Sequence, residues 1–465
     1  MKFGKKEMSA FGFGAIGKDM VYALSASFVM YYYQDILGIS AAFVGSILMI
    51  ARVFDAFNDP FMGIVVAKTN TKWGRFRPWV LLGTVLNAVV LVVMFNVPQM
   101  SGSSLKTFFS IVYILWGVTY TMMDIPYWSM IPAVTDNAKD RESMSVVGRT
   151  CAGVGNALIT VGTVIAVAAL GSGNERKGFG IFAIIVAVIF VISELVLFLS
   201  IKETKSDEKM QTASIKEMFS SLFHNDQAMV TVITIVLINT ALYITSNLII
   251  YFFKYDIGGA GWQGTYTLFS SVGGASQILG MMIIYPLLRK FFGNTDIFRY
   301  CLISAITGYA LLLAVCLLGF AHNIIILLIP GILVFLSNGI LTVLTTVFLS
   351  ASVDYGEMKT GHREESVIFS MQTFVVKLAS GVAVFLTGIG MTLIGLVGNA
   401  DTEGEIVAQS ASTLMGLRLL MTIIPIIGLV CAFFVFRKKF ILTDQKAEEI
   451  ALALKAKKEG EFDEA

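Results

Sequence analysis

The chain has little of what a water-soluble globule needs on its surface. Only 14% of its 465 residues are charged, where soluble domains carry about 25%. Cysteine is scarce, and Cys151, Cys301, Cys316 and Cys431 all sit in apolar runs without paired spacing. That excludes a disulfide framework and a thiolate zinc site, and leaves them as small buried hydrophobes. The three histidines, His224, His322 and His362, lie in or beside polar breaks. No Cys/His cluster or Ser/His pair offers catalytic chemistry, so a membrane-embedded enzyme or sensor is a distant alternative and no cofactor is expected. An excess of one charge sign is missing too. With 34 Lys and Arg against 32 Asp and Glu, a net +2, neither a nucleic-acid partner nor an acidic surface is indicated. What is abundant is apolar: 56% hydrophobic residues and a mean hydropathy of +0.77 place the chain among lipids. The long run after Lys2, Lys5 and Lys6 lacks a small-residue cleavage site and is expected to be a first span rather than a leader.

A transmembrane helix needs about 20 largely apolar residues. The sequence supplies about twelve such runs, near 10–36, 41–67, 79–97, 107–134, 144–170, 178–201, 226–253, 261–288, 299–320, 323–353, 364–398 and 410–436. Lys and Arg in alternate connections total 22 on one side against four on the other, Lys106, Arg176, Lys177 and Lys254. By the positive-inside rule both termini face the cytoplasm, as in a multi-pass protein of the cell membrane. The longest polar connection, 203–225, separates a six-span half at 1–202 from another at 226–437, and a polar cytoplasmic tail follows at 438–465. Arg141-Glu142-Ser143 is echoed by Arg363-Glu364-Glu365-Ser366 about half a chain later. This predicts an all-α membrane protein with the twelve-helix layout of the major facilitator superfamily, whose substrate site lies near the midplane. No repeated filter segment suggests a channel.

An ionisable residue at the bilayer centre costs about 2.5–3.5 kcal/mol, so each needs a partner or a task. Lys18, Asp19, Arg52, Asp55, Asp59, Asp124 and Arg149 fall in the first half and Lys377 in the second. Asp55, Asn58 and Asp59 share one helical face at i, i+3 and i+4, and Pro60 follows at once. Two carboxylates so close repel unless a cation or proton lies between them, and hard cations take oxygen ligands. The plainer alternative is an Arg52–Asp55 ion pair with Asp59 hydrating a kink at Pro60. In the fourth span Tyr120, Thr121, Asp124 and Trp128 form a polar and aromatic stripe. Thr121 offers a further neutral oxygen to a cation. Asp124 suits sugar hydroxyls and Trp128 the apolar face of a pyranose, although an indole here also fits simple packing. Lys18, Asp19 and Arg149 read either as ligand contacts or as a charge-neutralising network.

Several segments, Gly12-Phe-Gly-Ala-Ile-Gly-Lys-Asp19, Tyr31-Tyr-Tyr33, Arg52-Val-Phe-Asp-Ala-Phe-Asn-Asp-Pro60, Trp73-Gly-Arg-Phe-Arg-Pro-Trp79, Tyr113-Ile-Leu-Trp-Gly117, Asp124-Ile-Pro-Tyr-Trp-Ser129, Asp354-Tyr-Gly-Glu357 and Gln372-Thr-Phe-Val-Val-Lys377, run over nearly the whole chain. In these it resembles the glycoside-pentoside-hexuronide:cation symporters of the major facilitator superfamily, most of all their melibiose-permease branch. The resemblance implies symport of a glycoside, such as a galactoside like melibiose, with sodium, lithium or a proton, by alternating access. It implies that Asp55, Asn58, Asp59 and Thr121 hold the cation with Lys377 nearby. Lys18, Asp19, Tyr120, Asp124, Trp128, Arg149, Gln372, Thr373 and Lys377 would serve the sugar. The rival within transport is a proton-coupled pentoside or glucuronide carrier. A monomer in membrane lipid is expected, and by resemblance a soluble phosphotransfer-system regulator could dock on the cytoplasmic face. Ala26 and Thr342 stand where melibiose permeases carry aromatics, which points to a pocket of different shape. The charged ends at Trp73–Trp79, Lys139–Arg149 and Asp354–Arg363 would form ionic contacts between the halves. Glu194, in the sixth span, has no counterpart, and cytoplasmic hydration is expected for it.

Overall fold

The computed structural model describes residues 4–134, 138–203, 223–259, 261–360, 365–398 and 406–463. Residues 204–222 of the central connection and the Arg363-Glu364 half of the echo lie outside these residues. Among the described residues the chain is helical and has no sheet, only a bridge between Thr71 and Gly74. It divides into two compact units, Met1–Thr212 with Met391–Gln409, and Ala213–Gly390 with Ser410–Ala465. The loop 391–409 thus joins unit 1 rather than the second half. Its contacts explain why: the Ala42 amide donates to Thr392 Oγ1 at 3.2 Å, and the Gly398 backbone lies so close to Gln34 and Asp35 that a Cβ would meet the Gln34 carbonyl at 2.8 Å.

Unit 1 holds α1 (Lys5–Tyr31), α2 (Ala41–Ala67), α3 (Arg77–Phe95), α4 (Gly102–Val134), α5 (Ala138–Gly171) and α6 (Glu175–Ser200). Unit 2 holds α7 (Asp226–Tyr251), α8 (Trp262–Leu279), the short α9 (Tyr285–Leu288), α10 (Asn294–Leu317), α11 (Ile324–Thr360), α12 (Glu365–Leu393), α13 (Ala411–Lys439) and α14 (Asp444–Asp463). Ten of these, alone or with their π-helical extensions, are long and apolar enough to cross a membrane among the described residues. The other long helices are α14, which is polar, and α1 and α2, which carry Lys18, Asp19, Arg52, Asp55 and Asp59. Helices often start earlier than hydropathy suggests because polar caps open them. Asn174, Asn225 and Ser410 accept from the backbone N–H of Lys177, Ala228 and Thr413, satisfying donors the first turn leaves free. α2 stays helical across Pro60.

The two units repeat a plan. In each, the first long helix packs on the sixth, the third on the fourth and sixth, and the second on the fourth. In each, the first helix ends in a π-helical turn, Tyr32–Ile36 after α1 and Phe252–Ile257 after α7, and a glycine at positive φ follows, Gly38 or Gly258. In unit 1 that turn is fixed by Tyr32 and Tyr33, whose hydroxyls donate to the carbonyls of Phe95 at 2.9 Å and Met94 at 2.8 Å. In unit 2 it is fixed by charge, since Arg418 grips Asp256 through two bonds of 2.7 and 2.6 Å.

A second repeated device anchors the third helix. Glu203, just past α6, accepts from the backbone N–H of Arg75, Phe76 and Arg77 at 2.6, 2.9 and 2.8 Å. Asp444, just past α13, accepts from the Asn294 amide and its side chain, both at 2.7 Å. Each carboxylate sits at the positive end of a helix dipole. Each comes close enough only because a glycine precedes the helix: a Cβ on Gly74 or Gly293 would lie 2.6 or 2.8 Å from a carboxylate oxygen.

Candidate functional site in unit 1

Two clusters of charge lie along α4. The first is built on α1 and α4. Lys18 is 2% exposed, and its ammonium donates to Asp124 Oδ1 at 2.7 Å, Asp19 Oδ2 at 2.9 Å and the Tyr120 hydroxyl at 3.4 Å. These three bonds match the three donors of an ammonium. Trp128 Nε1 donates to the same Asp124 oxygen at 3.2 Å. Asp19 and Asp124 keep partly open side chains, so oxygens remain within reach of hydroxyl groups. The Arg149 guanidinium lies 4.3 Å over the Trp128 ring. One face of the indole is thus covered by a cation, and stacking on a sugar is left to the rest of the ring.

Helix packing makes this cluster possible. α5 approaches α1 closely, and a Cβ on Gly155 would come within 2.3 Å of the Ile16 carbonyl. Gly148, next to Arg149, is pressed against Phe11 and Trp128 in the same way. Phe11 stacks on Tyr127 at 4.5 Å, and the Tyr127 hydroxyl donates to the Phe11 carbonyl at 2.5 Å.

The second cluster is the acidic face of α2. Asp55 is 7% exposed; Arg52 stands 3.5 Å from its Oδ2, so the alternative ion pair of the sequence reading is present. Asp55 Oδ1 points at Gly117 of α4, where a Cβ would lie 3.0 Å away. Thr121 donates to Asp59 Oδ1 at 3.1 Å. Asn58 Nδ2 is buried and makes no hydrogen bond among the described residues. Asp55, Asn58, Asp59 and Thr121 are thus gathered between α2 and α4. Among the described residues no group of three or more His, Cys, Asp or Glu could hold a metal, so any ion here would rely on two carboxylates and neutral oxygens.

Other expected residues lie apart. Lys377 is half-buried on α12 of unit 2, and the side chains of Gln372 and Thr373 lie outside the described residues. Ala26 is half-buried and Thr342 exposed, its hydroxyl bonded to the Asn338 carbonyl at 2.9 Å. Glu194 departs from expectation: it is 0% exposed, because α6 is packed there against α1 and the ring of Tyr127 rather than open to cytoplasmic water.

Sequence reasoning also missed the aromatic column linking the clusters. Tyr113, Trp116 and Tyr120 stack at 5.8 and 5.3 Å, and Tyr22 leans on Tyr120 at 5.4 Å with the Arg52 guanidinium 5.7 Å over its ring. The signal was available, since 113, 116, 120 and 124 recur at i+3 and i+4 and share one helical face. Asn87 fixes the back of this column by donating to the Trp116 carbonyl at 3.0 Å and Thr119 Oγ1 at 2.9 Å.

Among known proteins, the chain is 30% identical over 414 residues to an isoprimeverose transporter of Lactiplantibacillus pentosus, covering 88% of this chain and 83% of that protein. It is 26% identical over 480 residues to a lactose permease of Lactobacillus helveticus, covering 98% and 73%. Among solved structures, it superposes on a bacterial homologue of the human lysosomal transporter Spinster with a TM-score of 0.68 at 12% identity, covering 93% of this chain and 96% of that one. A nucleoside transporter gives a TM-score of 0.65 at 14% identity, covering 92% and 100%. At such identities the structures speak for the fold alone, which is the major facilitator fold. A profile of the MFS/sugar transport protein family matches residues 10–443; the chain belongs to that family, as a multi-pass membrane transporter of the glycoside-pentoside-hexuronide symporter type.

Proposed function

We propose that the protein imports a glycoside across the cell membrane together with a monovalent cation, sodium or lithium, by alternating access, with both termini in the cytoplasm. The observation that carries this reading is the pairing of two distinct clusters along α4, one ending in Asp19, Asp124, Trp128 and Arg149, the other in Asp55, Asn58, Asp59 and Thr121. In the first, Lys18 holds two carboxylates apart and oriented, so that each presents an acceptor to a sugar hydroxyl. Charge-assisted bonds of this kind are about twice as strong as neutral ones. In the second, a cation between Asp55 and Asp59 relieves their repulsion and takes Thr121 and the Asn58 amide oxygen as neutral ligands. The buried, unbonded end of the Asn58 amide supports this, because the two ends of an amide exchange places by a simple rotation. Tyr120 and Trp116 form a stiff aromatic wall from one cluster to the other, so occupancy of one is felt at the other. Each ligand then tightens its partner by the same factor.

A galactoside such as melibiose is the substrate we favour, and relatives named for lactose, raffinose and isoprimeverose support a glycoside in general. The test is binding of galactosides, xylosides and glucuronides to purified protein with and without sodium. Sodium-tightened binding of a galactoside is the expected result. Uptake that ignores sodium and follows a pH gradient, with a xyloside or glucuronide preferred, would assign the proton-coupled alternative.

A further inference from the structure

Glu194 is the buried acid that neither cluster uses. Both of its carboxyl oxygens are buried and make no hydrogen bond among the described residues. The walls around it are named by Gly14 of α1: a Cβ there would meet Leu197 Cδ1 at 2.9 Å, Tyr127 Cε2 at 3.2 Å and Glu194 Oε1 at 3.4 Å. Among the described residues the neighbouring hydroxyls are already engaged. The Tyr127 hydroxyl serves the Phe11 carbonyl, and Ser193 Oγ serves the Phe190 carbonyl at 2.8 Å.

The charged and titratable groups facing this acid are few. From α1, Lys18 attracts its charge and Asp19 repels it; from α4, Asp124 repels it, and the phenols of Tyr120 and Tyr127 lie within its field. From α5 the Cys151 thiol lies near Tyr127, and Arg77 of α3 donates to the Phe198 carbonyl, one turn further along α6. Lys18 already spends its three donors on Asp124, Asp19 and Tyr120. An ionised Glu194 would add a third negative charge around one ammonium, in a place closed to bulk solvent where the described residues give it no donor. A carboxylate in such surroundings is unstable unless paired.

We propose that Glu194 is a proton-binding site of unit 1, separate from the cation face of α2, and that it carries its proton while Lys18 is held by Asp19 and Asp124. Neutral, it leaves Lys18 to the two aspartates. Once the proton leaves, the new carboxylate competes with Asp124 for Lys18, and the acceptors offered to a glycoside lose their organiser. The proton site stands on the burial of Glu194 and on its oxygens lacking a hydrogen bond among the described residues; only the effect on the glycoside rests on the sugar-pocket reading above.

Infrared difference spectroscopy of the purified full-length protein in lipid tests it. Wild type at neutral pH is expected to show the carbonyl band of an unionised carboxylic acid that is absent from Glu194→Gln and displaced in Glu194→Asp. Raising the pH should convert that band in the wild type to carboxylate absorption while glycoside affinity falls several-fold, and affinity in Glu194→Gln should stay flat across the same range. The proposal is overturned if Glu194→Gln keeps every acid band of the wild type, or if the wild type shows no such band at neutral pH. Should Asp124→Asn bind glycoside like wild type, the pocket reading fails and the Glu194 band is untouched by that failure.

Discussion

Units 1 and 2 share a frame and differ in what they do with charge. Both have a π-helical turn after the first helix, and both clamp the N-terminus of the third helix with a carboxylate placed just past the sixth. In unit 2 Asp256 of the corresponding turn is gripped by Arg418, and α8, the counterpart of α2, has no Asp, Glu, Lys or Arg at all. In unit 1 tyrosines fix the corresponding turn, and charges are gathered on α1, α2 and α4, where Asp19 and Asp124 keep partly open side chains around the buried Lys18. The frame repeats while the acidic face of the second helix does not: α2 carries Arg52, Asp55 and Asp59, and α8 carries none.

This contrast can be broken at four points. Asp59→Cys is expected to abolish cation stimulation of sugar uptake, since it removes one of two charges from a face that otherwise offers neutral oxygens; unchanged stimulation would remove the α2 face from the account. Arg418→Ala, in unit 2, leaves a buried carboxylate without its partner and should cost about 3–5 kcal/mol of stability. It should be read as a lower midpoint of thermal unfolding in detergent, with sugar and cation affinity retained by folded protein. Asp124→Asn removes a charge-assisted acceptor worth about 1.5–3 kcal/mol, so glycoside Kd measured by calorimetry should rise about 10- to 150-fold, with thermal stability changing less than in Arg418→Ala. The smallest effects should come from Glu203→Ala and Asp444→Ala. Each loses a helix cap of about 0.5–2 kcal/mol, and matched losses in thermal unfolding would show that the two clamps are equivalent.

How much of this the sequence revealed depends on whether the determining contact is local. Spans such as 178–201 read cleanly because lipid tolerates only helices with their backbone bonds satisfied, and the hydropathy pattern records it. The acidic face of α2 was legible for the same reason, as Asp55, Asn58 and Asp59 lie within one turn. The partnership of Thr121 with Asp59 was open to inference only as a guess about donor chemistry, since they lie 62 positions apart. The reach of Lys18 across to Asp124, and the crowding of Gly117 against Asp55, depend on how α1 and α2 pack on α4, which no spacing within one helix encodes. Glu194 was misread because an acid near the end of an apolar run looks hydrated in one dimension; the packing of Gly14 and Tyr127 over it decides otherwise. Glu203 and Asp444 escaped notice because they follow the last apolar residue of their helices, where hydropathy is silent and backbone amides do the recognising.

The central claim is that the acidic face of α2 holds a cation which prepares the pocket around Asp124. Calorimetric titration of a galactoside into wild type and Asp59→Cys, each with and without sodium, tests it most directly. Sodium should tighten sugar binding in the wild type and make no difference in Asp59→Cys. Equal tightening in both proteins would contradict the account.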